Sequence, residues 1–413
     1  MDGRRVVITG MGTLCPIGNT TAEAWENAKA GKNGIGPITC YDATDMKVKV
    51  AGEVRGLDVF SFIDKQEARK QERFTHLARI ATMEAIAQSG IKIEDEDPYR
   101  CGTMISSGIG GLDLIARMED RGKARGFDRV SPQFIPATIT NSAAGSVAIQ
   151  EGFKGECSCA VTACASSANA IGDAYRAIRY GYEDVMIAGG AESCVTPLSV
   201  GGFTSMKALS TVEDPEEACR PFDLDRSGFI IAEGAGILIL EELEHARARG
   251  ATILGELCGC GFTCDAYHIT APNPDGASAA QSMRNALADA GLSPSQIGYI
   301  NAHGTSTPLN DKTETKAFHD VFGTGEDAPL VSSTKSMTGH MLGAAGAVEA
   351  IFTVCAINDG FVPPNIHYKT PDPDCDLNLV ANEGREASFD YALSDNLGFG
   401  GHNASLIFGR YRE

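Results

Sequence analysis

The chain has 413 residues, a formal net charge of −19 with its histidines neutral, 43% hydrophobic residues and 22% charged ones. That length exceeds the roughly 250 to 300 residues a single core serves, so the composition predicts a globular protein with two domains or a fused double core. The acidic balance argues against nucleic-acid binding as a global property. No apolar run approaches the ~20 residues of a membrane helix, and the absence of a signal-peptide pattern before the first strand points to the cytoplasm.

In chain order, a strand near Val6 to Thr9 opens the sequence, followed by Gly10-Met11-Gly12. A dinucleotide fingerprint needs a third glycine where Cys15 stands. The two glycines are therefore assigned to a tight strand-to-loop turn. Lys65, Arg69 and Lys70 fall at i, i+4 and i+5 and predict a helix with one basic face in an acidic protein. A strand follows near Arg100 to Ser106, with Ile109 in a Gly-rich segment after it. Val161 to Ala163 read as a strand end, and Ala168, Ile171, Ala174, Tyr175 and Ile178 mark a helix from Ala165 to Tyr180. A strand at Val185 to Ala188 completes the first set.

The second set repeats this order from a joint near Ala251. It comprises a strand near Ile253 to Gly261, a helix from Ser278 to Ala290, a strand at Gly298 to Ala302, a helix after His340, and closing strands. The division is 1–250 and 251–413, one element pattern used twice. Alternating strands and helices predict layered α/β architecture with mainly parallel sheets. The thirteen cysteines are an odd number in a long chain without a leader pattern, and read as reduced thiols. Cys258, Cys260, Cys264 and His268 lack the CxxC spacing of a zinc knuckle and read as strand residues.

Three residues carry chemistry. Cys164 stands where a strand gives way to a helix, a place that confers thiolate character through the helix dipole and resembles a nucleophile elbow. His303 lies in a strand-end loop, Asn301-Ala302-His303-Gly304-Thr305-Ser306-Thr307-Pro308, and His340 precedes Gly343-Ala344-Ala345-Gly346 at another helix start. Either histidine alone is more often structural; with Cys164 they form a nucleophile and two imidazoles.

VTACASSANAIGDAYRAIRYG, AGGAES, NAHGTSTPLND, SSTKSMTGHMLGAAGAVEAI and LGFGGHNASLIF resemble, in order and across the whole chain, the signatures of the β-ketoacyl-acyl carrier protein synthases, most closely their elongating class. The resemblance implies a thiolase fold, two α/β halves stacked as five layers, α-β-α-β-α. Cys164 and His340 then sit at related helix starts facing one another. It implies decarboxylative condensation of an acyl group on Cys164 with malonyl carrier, with His303 and His340 stabilising the enolate, Lys335 tuning the site, and Phe399 contributing both an oxyanion N–H and a gate between glycines that include Gly400. Thr305 and Thr307 would hold the phosphopantetheine arm that arrives with the carrier, Ile109 and Phe203 would line the acyl pocket, and Gly400 would contact the substrate beside Phe399. Lys65, Arg69 and Lys70, with Arg129 and Lys207, would dock the acidic carrier. No cofactor is required. A structural monovalent cation seen in some relatives would neighbour Asn301, Glu349, Ser394 and Asp395, although relatives carry Asn-Ser-Phe where this chain has Asp395-Asn396-Leu397. His402 replaces a common threonine. The family also implies a homodimer in which Phe134 to Thr140 reach the partner's acyl pocket.

Close alternatives are a ketosynthase of a polyketide or other specialised acyl pathway, a non-catalytic chain-length partner, and a thiolase. The partner reading is disfavoured by Cys164, and the thiolase reading by the two histidines and the basic helix.

Overall fold

The computed structural model describes residues 3–412. Ten strands form the framework: β1 (Val6–Leu14), β2 (Cys101–Ser106), β3 (Cys157–Ser158), β4 (Val185–Glu192), β5 (Gly234–Glu242), β6 (Gly255–Cys264), β7 (Ile297–Asn301), β8 (Leu330–Ser332), β9 (Tyr391–Gly398) and β10 (His402–Gly409). Their spatial order is β8-β7-β9-β10-β6-β1-β5-β4-β2-β3. Outward from the centre, the first set runs β1-β5-β4-β2-β3 and the second β6-β10-β9-β7-β8. In each, two antiparallel pairings near the centre give way to two parallel ones at the edge. Strand to strand, the two sets join where Val6, Val7 and Ile8 pair with Leu257, Glu256 and Gly255.

Six helices build the layers: α1 (Arg73–Ser89), α2 (Ser142–Glu151), α3 (Ser166–Arg179), α4 (Ala277–Ala290), α5 (Pro308–Phe322) and α6 (Ala345–Asp359). Helices α3 and α6 pack on each other and on strands of both sets, forming the middle layer. Helix α1 covers β1 and β5 with α2 beside it, and α4 covers β6 and β10 with α5 beside it. This is the five-layered thiolase-type α/β arrangement that the resemblance implies. Residues Leu342–Asp359 are long and apolar enough to cross a membrane, but 89% of that stretch is buried in the middle layer. Its apolar surround serves two sheets at once, as expected for a helix hydrophobic all round.

Four expectations need correction. The sheets are not mainly parallel: five of the nine strand interfaces in the ten-stranded order are antiparallel, which lets consecutive strands pair near the centre of each set. Gly10 and Gly12 lie inside β1, not in a turn: a Cβ on Gly12 would stand 1.9 Å from the Ala81 carbonyl oxygen of α1. Gly261 of β6 repeats the device, 2.0 Å from the Ser282 oxygen of α4, so these glycines set helix-to-sheet distance in both sets. The strand before Cys164 is Cys157–Ser158, and Val161 to Ala163 are outside it, with Val161 exposed. The basic helix is a single turn, Lys65–Ala68, capped by Asp64, whose carboxylate accepts from the Gln66 and Glu67 N–H groups; Arg69 is its C-cap and Lys70 lies beyond. The chain turns there to enter α1. Cys258, Cys260 and Cys264 do fall along one strand, β6.

Candidate active site

Cys164 sits in a 3-10 turn, Ala163–Ala165, directly before α3. Ala163 has φ of 51°, a left-handed conformation that few non-glycine residues adopt. The turn is tied by Ser166 Oγ, which accepts from Thr162 N at 2.9 Å and donates to the Ala163 carbonyl at 2.6 Å. The second set repeats the geometry: Leu342 has φ of 44° in the 3-10 turn Leu342–Ala344 that leads into α6. Position 343 thus corresponds to position 164, and the two elbows meet at the middle layer.

His303 follows β7 by two residues. Its loop is held by Glu314 of α5, whose Oε1 accepts from His303 N at 2.6 Å and whose Oε2 accepts from Gly304 N at 2.8 Å. His340 is held by main-chain bonds to Ile230 O at 2.7 Å and from Ala232 N at 2.9 Å. The two imidazoles stand edge to face, with centroids 5.2 Å apart. His303 Nδ1 and both ring nitrogens of His340 are buried without a hydrogen-bond partner. Burial first, and the Lys335 cation second, hold both imidazoles well below their ordinary value, His340 adding to the effect on His303. They are neutral at pH 7.

Cys164, His303 and His340 line one cavity of about 380 Å³, together with Thr305, Thr307, Phe203, Phe399 and Lys207. Thr305 and Thr307 point their hydroxyls at each other, 3.0 Å apart. An aromatic series runs inward from the mouth: Phe399 to Phe203 (6.3 Å), Phe203 to Phe229 (5.4 Å), Phe229 to His340 (5.3 Å). Burial pushes the Cys164 thiol up to about 12, while Lys335 and the Phe399 N–H pull the other way. Burial of Cys164 thus opposes the thiolate character expected from its place at a helix start.

Lys335 does not line the cavity. It is buried behind it, with Nζ 2.5 Å from Glu349 Oε1, and acts on Cys164 and both histidines through its charge. Ile109 joins Phe203 and Leu342 in the apolar cluster around Cys164. Gly400 lies in the hairpin between β9 and β10, its N–H bonded to Ile269 O at 2.7 Å. Lys65, Arg69, Lys70 and Arg129 are exposed and outside the cavity; Lys207 is exposed at its mouth.

Among the expected cation neighbours, Ser394 Oγ and Asp395 Oδ2 are buried without a hydrogen-bond partner, as is Asn396 Oδ1 beside them. Residues alternate along β9, so Asp395 faces the outer layer, where Oδ1 accepts from Ser405 Oγ at 2.8 Å, while Ser394 and Asn396 face the middle layer. Asn301 presents its N–H₂, not its oxygen, to the Glu349 carbonyl at 3.3 Å.

Two positioning carboxylates were invisible to sequence reasoning. One is Glu314. The other is Glu192, whose carboxylate accepts from Ser107 Oγ, Gly108 N and Gly343 N at 2.8, 2.7 and 3.1 Å and so ties the Ile109 segment to the second elbow. The spacing of Asp311 and Glu314 on one helix face was the available clue.

Residues 3–246 match the family described as Beta-ketoacyl synthase, N-terminal domain, and residues 254–369 match Beta-ketoacyl synthase, C-terminal domain. The chain belongs to the β-ketoacyl synthases. This synthase is 49% identical over 413 residues to a 3-oxoacyl-[acyl-carrier-protein] synthase 2 of Synechocystis sp., covering 100% of this chain and 99% of the relative. It is 48% identical over 410 residues to the protein of the same name in Staphylococcus aureus, covering 99% of each. Among solved structures, a Beta-ketoacyl synthase from Burkholderia phymatum superposes with a TM-score of 0.92 at 35% identity, covering 99% of this chain and 100% of that one. A ketosynthase solved with its type II PKS acyl-carrier protein, AntDE:AntF, gives 0.89 at 36%, with the same coverage.

Proposed function

We propose that this synthase elongates fatty acyl chains by decarboxylative condensation on an acyl carrier protein. The single observation that carries the reading is the pair of neutral, unpartnered imidazoles facing the cavity that holds Cys164.

Cys164 Sγ attacks the thioester of the acyl carrier; the new S–acyl bond forms as the pantetheine sulfur leaves, and the thiol proton goes with it. Thr305 and Thr307 bond the amides of the arm. In the second half-reaction the malonyl carboxylate leaves as carbon dioxide, and its bonding electron pair passes to the adjacent carbon and thioester oxygen. Neutral imidazoles suit this step, because their N–H groups donate to the developing oxyanion while their low basicity keeps them from taking a proton from the thiol. The carbanion attacks the acyl carbonyl, the tetrahedral oxygen accepts from the N–H groups of Cys164 and Phe399, and collapse expels the cysteine sulfur as thiolate, which takes a proton from solvent. The product is 3-oxoacyl carrier.

The aromatic series from Phe399 supports a gate, and Ile109 with Phe203 sets the depth available to the acyl chain. Lys65, Arg69, Lys70, Arg129 and Lys207 supply the positive surface that an acidic carrier needs. A homodimer fits the exposed apolar residues Ile135, Ile139, Ile149 and Val161 together with the edge position of β3 in the sheet. The identity of 48–49% to 3-oxoacyl carrier synthases, against 36% to the AntDE ketosynthase, favours primary elongation over a specialised pathway.

The test is condensation by wild type and Cys164→Ala with acyl and malonyl carriers, followed by mass spectrometry. Wild type should give 3-oxoacyl carrier and an acyl adduct on Cys164, and the variant neither. Absence of both in wild type would overturn the proposal.

A further inference from the structure

Glu192 ends β4 wholly buried, and donors from two separate segments converge on its carboxylate. Oε1 accepts from Ser107 Oγ at 2.8 Å and from Ile109 N at 3.4 Å; Oε2 accepts from Gly108 N at 2.7 Å and from Gly343 N at 3.1 Å. Ser107 Oγ in turn accepts from Gly110 N at 3.0 Å, so one carboxylate and one hydroxyl together hold the run from 107 to 110. Glycine makes the room: a Cβ on Gly108 would stand 2.9 Å from Glu192 Oε2.

That run is a partition. On one side Ile109 packs in the apolar cluster of Cys164, Phe203 and Leu342. On the other, the residues that follow it, Gly110, Gly111 and Leu112, line a second cavity of about 300 Å³, set apart from the 380 Å³ cavity that holds Cys164. Tyr41 and Val195 line the second cavity as well and belong to the same apolar cluster, so the wall between the two spaces is a single layer of side chains. Residues 107–111 are in neither strand nor helix. Their buried N–H groups need acceptors from elsewhere. An ionised carboxylate, which only accepts, suits a surround made of donors.

We infer that Glu192 is the positioning residue that limits acyl length: by clamping the Ile109 partition it stops the chain short of the second cavity, and a loosened clamp joins the two spaces. The inference rests on the reading of Cys164 as the acyl acceptor. Glu192 does not touch the reacting atoms and acts through Ile109. Its charge also reaches Cys164, where it adds to burial in pushing the thiol up, against the pull of Lys335.

The test compares full-length wild type, Glu192→Gln and Ser107→Ala, each checked for folding by circular dichroism. Short, medium and long saturated acyl groups are offered on carrier protein, and their transfer to Cys164 is timed by intact mass. Glutamine keeps the shape but turns an N–H₂ toward donors, while alanine removes one donor and keeps the charge. Both variants should raise the ratio of long-chain to short-chain transfer about tenfold over wild type. Glu192→Gln should also move alkylation of Cys164 by iodoacetamide to lower pH, and Ser107→Ala should not, a difference that mere loosening does not give. An unchanged length ratio in either folded variant would overturn the inference, as would an equal loss at every length. Should Glu192→Gln fail to fold, the ratio in Ser107→Ala decides alone. A wild type that takes no acyl group from any carrier would instead sink the reading of Cys164 as acceptor, and the inference with it.

Discussion

Replacing Lys335 by methionine tests the electrostatic frame behind the cavity. The ammonium and the Glu349 carboxylate are 2.5 Å apart and each about 1% exposed, so the substitution leaves a buried carboxylate with only the Asn396 N–H opposite one oxygen. Breaking such a pair costs about 3 to 5 kcal/mol; the surviving bond places this case near 3, a large share of the roughly 5 to 15 kcal/mol that holds a domain folded. Glu349 already sits above the ordinary carboxylate range because burial outweighs Lys335 and Asn396, and without Lys335 it rises further. Its folded pKa then exceeds its unfolded one, so the variant's stability is present at low pH and lost as pH rises through the folded value. Urea unfolding should therefore show a smaller loss at pH 5.5 than at pH 8. The same change removes the charge that pulls the Cys164 thiol down, so alkylation by iodoacetamide at pH 8 to 9 should slow. Lys335→Met/Glu349→Leu should regain most of the stability while alkylation stays slow. A loss below about 1 kcal/mol with an unchanged alkylation profile would refute the reasoning.

His245 bridges two carboxylates, Nδ1 to Glu241 at 2.6 Å and Nε2 to Glu96 at 2.7 Å, and the Glu241 bond lifts it to about 9. Its contribution should be complete below the unfolded value near 6.5 and vanish as pH passes 9, a slope in urea unfolding that His245→Gln should abolish. Gly343→Ala would place a Cβ 2.3 Å from Gly108 N and 2.7 Å from Glu192 Oε2, and should lower stability by about 1 to 3 kcal/mol and alter the acyl-length profile; an unchanged Tm would count against the close approach. Lys65→Glu/Arg69→Glu/Lys70→Glu should cut kcat/KM for carrier-borne acyl groups about tenfold while sparing N-acetylcysteamine thioesters, and equal losses on both would place the effect elsewhere.

Sequence reading reached the apolar scaffold because burial writes a period. Ala168, Ile171, Ala174, Tyr175 and Ile178 are all buried in α3, as their spacing requires. It reached Cys164, His303 and His340 because each is a reactive side chain at a break between elements. It missed Glu314 and Glu192 because a carboxylate on a charged helix or after a strand reads as solvated. In α5, Asp311 and Glu314 are buried while Lys316, two residues on, is exposed, and only the partner loop distinguishes them. The β1 glycines were misassigned for a related reason: closeness to a helix distant in sequence leaves no local pattern. The basic turn at Lys65 was read too long because charge spacing says nothing of where Asp64 starts a helix or where the chain must bend to enter α1.

The two elbows hold a further lesson. The fold supplies two equal seats for a nucleophile, at 164 and 343, and a symmetric ancestor could have filled both. Here the second seat is a glycine whose missing side chain is the space through which Glu192 reaches the Ile109 segment. A cysteine installed at 343 would collide with the backbone that shapes the acyl channel, so the molecule has only one working orientation. The difference between the two halves is thus carried in part by a single absent Cβ, alongside the two histidines that the second half supplies.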